Sequence, residues 1–157
     1  MQKITPCLWF DGQAEEAASF YVSVFKNSRI LGLNRYGEGA PLPAGTVLTV
    51  RFELDGQAFV ALNGTPDFPF SPAISLVVNC ASQSEVDDYW QKLSAHQERE
   101  QCGWLMDKYG VSWQIVPVAL QQMLGSEDPA RSQRVMTALM AMKKLDIAAL
   151  QSAYDGR

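Results

Sequence analysis

Apolar residues recur along this chain in two rhythms, and each rhythm is used twice. Strand-like runs at Ile4-Thr5-Pro6-Cys7-Leu8-Trp9-Phe10 and Ile74-Ser75-Leu76-Val77-Val78-Asn79-Cys80 are each followed at once by a helical pattern. After Asp11-Gly12, the residues Ala14, Ala17, Ala18, Tyr21, Val24 and Phe25 return at helical spacing to about Lys26. After the second run, Ser82-Gln83-Ser84-Glu85 reads as a capping box, in which side chains satisfy orphan N–H groups at a helix start. Val86, Tyr89, Trp90 and Leu93 then mark one helix stripe. An offset of 70 aligns Thr5 with Ser75, Glu15 with Glu85 and Phe20 with Trp90. A half-domain repeated in this way predicts two half-cups framing a site.

The strands that follow are set by turn chemistry. Asn27-Ser28 closes the first helix, Arg29 to Tyr36 reads as a strand, and Gly37 to Gly45 as a loop. Thr46 to Leu54 and Gln57 to Leu62 flank Asp55-Gly56, a two-residue hairpin signal, because that turn needs positive φ at both central positions. The turn pairs Leu54 with Gln57, Phe52 with Phe59 and Val50 with Ala61, so that the last four share one face. Asn63 to Pro72 reads as a linker. In the second half, Glu98 to Met106 and Val111 to Val116 read as strands joined by the turn Asp107-Lys108-Tyr109-Gly110. After Pro117 the chain turns helical, with Asp128-Pro129 as N-cap and first helical residue and with Val135, Met136, Leu139, Met140 and Met142 as an apolar stripe. Asp146 caps a last helix carrying Ile147, Leu150 and Tyr154. The expected fold is α+β: one domain over 1–157, with a βαβββ module over about 2–64, a second over about 73–117, and helices over about 118–155.

Composition narrows the partners. A chain of 157 residues buries roughly 70% of its unfolded surface and needs no staple. A net charge of -4, with Lys143-Lys144 the only adjacent basic pair, argues against nucleic acid, whose binding needs clustered cations. No run reaches the roughly 18 apolar residues of a membrane span, and no signal-peptide pattern opens the chain, so a cytoplasmic location without membrane contact is expected. Cys7, Cys80 and Cys102 have no CxxC spacing, and reduced thiols are expected. His96 is the only histidine, read as an exposed loop residue near the end of the second helix.

Two βαβββ copies resemble the vicinal oxygen chelate superfamily, which includes glyoxalase I, extradiol dioxygenases and bleomycin or fosfomycin resistance proteins. The wording Ile4-Thr5-Pro6-Cys7-Leu8-Trp9-Phe10-Asp11-Gly12, Glu15-Glu16-Ala17, Phe20-Tyr21, Cys102-Gly103-Trp104, Gly110-Val111-Ser112-Trp113-Gln114-Ile115-Val116-Pro117 and Arg134-Val135-Met136 is similar to the PhnB-like family over nearly the whole chain. The resemblance implies a glyoxalase-type fold and, with the apolar C-terminal stripe, a homodimer. That family often carries the label 3-demethylubiquinone 3-methyltransferase. A typical methyltransferase cofactor site needs a Gly-rich strand-to-helix turn, and no GxGxG run exists here.

In metal-binding relatives of the superfamily, His, Gln and Glu project from four strands. The resemblance places Thr5, Ala61, Ser75 and Gln114 at those positions, a set without imidazole or carboxylate and so a poor cage for a divalent metal. No metal or cofactor is therefore expected. Strand alternation then puts Thr5, Cys7 and Trp9, Ser75, Val77 and Asn79, and Ser112, Gln114 and Val116 on the concave face, with Val50, Phe52, Phe59 and Ala61 beside them. The opposite parity, Ile4, Leu8, Phe10, Leu76, Val78, Cys80, Trp113 and Ile115, is expected to pack on helices. Trp104 and Cys102 are read as core. Arg51 and Glu53 are read as an exposed pair or subunit edge. The expected function is metal-independent binding of an uncharged or weakly polar organic molecule. The alternative is a lyase or dioxygenase built around Gln114, Ser75 and Cys7, with a methyltransferase third.

Overall fold

The computed structural model describes residues 2–157. The chain divides into two units, Met1–Phe70 and Ser71–Arg157, and the break falls inside the stretch expected to be a linker.

The first unit contains β1 (Cys7–Phe10), α1 (Ala14–Val24), β2 (Arg29–Arg35), β3 (Val47–Leu54) and β4 (Gln57–Asn63). Its sheet runs β1-β4-β3-β2, with β1 parallel to β4 and the other pairs antiparallel. Asp55 (φ 47) and Gly56 (φ 79) take left-handed backbone, as the hairpin signal requires. The register pairs Leu54 with Gln57, Phe52 with Phe59 and Val50 with Ala61, as expected. α1 packs on this sheet through Ala14, Ala17, Ala18 and Tyr21, all buried. Three alanines let the helix backbone approach closely, and the Tyr21 ring stacks on Phe52 at 6.5 Å between centroids. Gln13 offers α1 no side-chain cap. Asn63, buried at the end of β4, supplies one instead: its Oδ1 accepts the Ala14 N–H at 2.8 Å and its Nδ2 donates to the Val47 carbonyl at 3.0 Å.

The second unit contains β5 (Ser75–Cys80), α2 (Gln83–Leu93), a short 3-10 turn (Gln97–Arg99), β6 (Trp104–Met106), β7 (Ser112–Pro117), α3 (Val118–Leu124), α4 (Pro129–Met140) and α5 (Ile147–Asp155). The sheet runs β5-β7-β6, with β5 parallel to β7. It repeats the first sheet's order without an outer strand. The strand expected over 98–106 shrinks to β6 plus a bridge between Gln101 and Trp104, because His96 to Gln101 is a polar stretch with no β-branched or aromatic residue. The capping box forms in a stretched version: Ser82 Oγ accepts the Glu85 N–H at 3.2 Å, and Glu85 reaches past it to the Ala81 N–H at 2.8 Å.

Cys102 (φ 52) and Gly103 (φ 87) make a second tight two-residue hairpin. Their N–H groups donate to the carbonyls of Met142 and Lys143, both at 2.8 Å. Gln83 grips the same loop from the other side, donating to the Leu145 carbonyl at 3.0 Å and accepting from Ile147 N–H at 2.8 Å. The C-terminal helices enclose Leu120, Met123, Val135, Leu139, Leu145 and Leu150, so part of the expected Met-rich stripe is core. Met136 and Met140 point outward instead. Asp128 and Asp146 cap α4 and α5 as expected. Among the described residues no helix is long and apolar enough to cross a membrane.

Candidate functional site

Each sheet has one helix-packed face and one open face, and the pairing register assigns every strand residue to one of them. In the first sheet, β1 and β4 align Leu8 with Ala61 and Phe10 with Asn63. Leu8, Phe10, Val50, Phe52, Phe59 and Ala61 therefore share the side covered by α1, and all six are buried. This corrects the expected concave wall: Phe52, Phe59 and Ala61, with Val50, are core. The open side carries Cys7 and Trp9 of β1, Val60 and Leu62 of β4, and Thr49, Arg51 and Glu53 of β3. Thr5 precedes β1 and is exposed. Ile4, expected to pack on a helix, is exposed as well, because the strand begins only at Cys7.

Trp9 is not a free platform. Its Nε1 donates to the Thr65 carbonyl at 2.8 Å and Phe68 meets its ring edge-on at 5.1 Å. Gly64 lies so close to the indole that a β-carbon there would sit 2.0 Å from Cζ2. Towards β2 the open face becomes polar. Glu53 pairs with Arg29 at 3.0 Å rather than with Arg51, and Asn34 donates to Thr49 Oγ1 at 3.3 Å.

In the second sheet, Leu76, Val78, Cys80, Trp113 and Ile115 share one parity, with Cys80, Trp113 and Ile115 buried. Trp104, expected in the core, aligns with Gln114 and so falls on the open side, and Met106 aligns with Ser112. The open face is thus Ser75, Val77, Asn79, Trp104, Met106, Ser112, Gln114 and Val116. Gln114 Nε2 donates to Ser75 Oγ across the strands at 3.0 Å. Ser112 is almost fully buried at 4% exposure, whereas Asn79 is exposed. A cavity of about 170 Å³ opens beside Ser112, lined by Pro72, Arg99, Trp104, Leu105 and Met106.

The residues fit a divalent metal poorly. Ala61 is core, Ser75 Oγ already accepts the Gln114 amide, and among the described residues no group of three His, Cys, Asp or Glu side chains converges. His96 lies off both sheets, half-exposed, with Nδ1 3.5 Å from Glu98. Burial pushes the Cys7 thiol up from its ordinary pKa, which disfavours the thiolate a nucleophile needs. Burial, and then the Glu85 carboxylate, push Cys80 up to about 11. Cys102, half-buried in its turn, has Sγ 3.7 Å from Met140 Sδ.

Sequence reasoning missed Arg99, Trp104 and Met106. The signal for the last two was present in Asp107 to Gly110, the turn that joins β6 to β7 and places Trp104 opposite Gln114 and Met106 opposite Ser112. Arg99 had none, since its approach to the sheet is a loop property. The other missed residue is Asp107, buried in the turn before β7. Its Oδ1 accepts the N–H groups of Tyr109 (2.8 Å) and Val111 (3.1 Å), and its Oδ2 accepts Trp113 Nε1 (2.8 Å).

A family model described as 3-demethylubiquinone-9 3-methyltransferase matches residues 2–116. Arg134-Val135-Met136 and the three C-terminal helices lie outside that match. No curated protein matches the chain. Among solved structures, the PhnB protein from Bacillus cereus is 40% identical, with a TM-score of 0.64, over 74% of this chain and 100% of its own. Protein PA1353 from Pseudomonas aeruginosa is 22% identical, with a TM-score of 0.56, over 74% of this chain and 98% of its own. The fosfomycin resistance protein FosX from Listeria monocytogenes shares the fold at 12% identity and a TM-score of 0.55, over 80% of this chain and 98% of its own. With the family model covering most of the chain and the PhnB protein aligned over its full length, this chain belongs to the 3-demethylubiquinone-9 3-methyltransferase family, the PhnB-like branch of the glyoxalase-type fold.

Proposed function

We propose that the protein binds a small organic molecule without a metal, and that the open face of the second sheet is its binding surface. The observation that carries this reading is the Ser75–Gln114 hydrogen bond. It sets a neutral polar pair among Val77, Trp104, Met106 and Val116, the mixture of apolar wall and few placed polar groups that suits organic ligands. Gln114→Ala is expected to leave the fold intact and to weaken any ligand found in a metabolite thermal-shift screen by about tenfold, the loss of one hydrogen bond to a desolvated partner. Elemental analysis is expected to return no stoichiometric divalent metal after gentle purification. One metal per chain would sink the reading.

The raised Cys7 pKa weighs against an enzyme that uses this thiol as nucleophile. The methyl transfer in the family's description meets a separate difficulty. β1 leads into α1 through Asp11-Gly12-Gln13, and β5 leads into α2 through Ala81-Ser82, neither of them a Gly-rich turn.

A homodimer accompanies this reading. Met136 and Met140 stand four apart on α4, at 40% and 58% exposure, on the side away from the helical core. Light scattering behind size exclusion should give twice the 17.4 kDa chain mass; a monomer at micromolar concentration would count strongly against it.

A further inference from the structure

The cavity beside β6 is small, lies within the second unit, and contains one charge. At about 170 Å³ it is close to the volume of an engineered apolar cavity, about 150 Å³, that holds benzene. Trp104 and Met106, half-buried neighbours on β6, give it an apolar wall. Such a wall suits the flat face of one aromatic ring, since indole and thioether both pack well on π-systems.

Two polar groups break this wall, and neither is occupied. Ser112 is buried, but its hydroxyl makes no hydrogen bond to any described residue. Arg99, at the end of the 3-10 turn, forms no ion pair or side-chain hydrogen bond among the described residues. Its acidic neighbours are engaged elsewhere. Glu98 faces His96 at 3.5 Å, and Glu100 accepts the Ser94 hydroxyl at 2.7 Å. Arg99 is the one charged residue in the lining. The cavity leaves the Ser112 side chain within reach of a ligand, and a guanidinium matches a planar carboxylate in geometry and charge.

We infer that this cavity takes a single-ring aromatic carboxylate, its ring against Trp104 and Met106 and its acid group received by Arg99, with Ser112 as a neutral donor. The inference rests on the open-face reading and sharpens it: the ligand is anionic at one end rather than uncharged.

Benzoate and benzamide form the matched pair for the test, because they differ in charge and hardly in shape. The full chain, labelled with nitrogen-15, is titrated with each at constant ionic strength, following the Trp104 indole N–H, assigned with Trp104→Phe. Benzoate should move that signal and bind about tenfold or more tightly than benzamide, the usual worth of a charge-assisted hydrogen bond. Arg99→Gln, a change at an exposed position, should keep the spectrum of the folded protein and lower benzoate to the benzamide level. Equal binding of the two compounds at Trp104 would overturn the carboxylate assignment while leaving the open face as a binding surface. An Arg99→Gln protein that still prefers benzoate would overturn the role of Arg99. No shift at Trp104 with either compound would overturn the cavity assignment, and a thermal-shift ligand sensitive to Gln114→Ala would still support the broader face.

Discussion

Asp107→Ala should cost about 4 kcal/mol of unfolding free energy, the largest single-residue effect expected in this protein. The carboxylate is fully buried and holds three donors at once: two backbone N–H groups of its own turn and the indole of Trp113 on β7. Removing it strands those donors away from water, at about 1–3 kcal/mol each before relaxation. The turn is closed further by the Asp107 N–H, which donates to the Val111 carbonyl at 2.9 Å, so its collapse would release the start of β7. Asp107→Asn is expected to cost about half as much. Its amide oxygen can still serve the two backbone donors, but its NH₂ would face the Trp113 N–H. Urea unfolding followed by tryptophan fluorescence, at unchanged slope, measures both. A loss below about 1 kcal/mol for the alanine variant would remove Asp107 as organiser of the turn.

Leu145→Ala should cost about 3 kcal/mol, within the usual range for truncating a fully buried leucine. Leu145 belongs to the C-terminal helical core and also supports the Cys102-Gly103 turn, where a β-carbon on Gly103 would lie 3.1 Å from its Cδ1. A cavity at Leu145 therefore loosens more than packing. The Cys102 and Gly103 amides, which donate to Met142 and Lys143, should lose hydrogen-exchange protection together. Loss of global stability with unchanged protection at these two amides would mean that the turn and the helices are not mechanically joined.

These two residues show where sequence reasoning reached and where it stopped. The turn at Asp107 to Gly110 was legible from its residues, yet a carboxylate in a turn is ordinarily solvated. Only the fold closes over it. Leu145 lay outside the helical pattern read from the sequence, between the stripe of α4 and the cap of α5, and its burial depends on a hairpin some 40 residues earlier. In the same way the Asp55-Gly56 turn fixed which residues of β3 and β4 face each other, because register there is local. It could not say which face α1 would cover. That depends on β1 lying parallel to β4 with Leu8 beside Ala61, a contact between strands about 50 residues apart. Phe52, Phe59 and Ala61 consequently moved from the expected ligand wall into the core, while Trp104 moved the other way.

What the sequence determined alone was what depends on neighbours along the chain: the repeated strand–helix order, the Asp55-Gly56 hairpin and the Asp107 to Gly110 turn, three of the helix caps and the family wording over 2–116. Tertiary structure decided sidedness and charge. It chose the covered face of each sheet, buried Asp107 and Asn63 as connectors, and brought Arg99 to the edge of a cavity also lined by Ser112. The physical reason is the period of a strand. Alternation divides its residues into two sets with certainty, but only a packed helix, joined through long-range contacts, makes one set the core and leaves the other open.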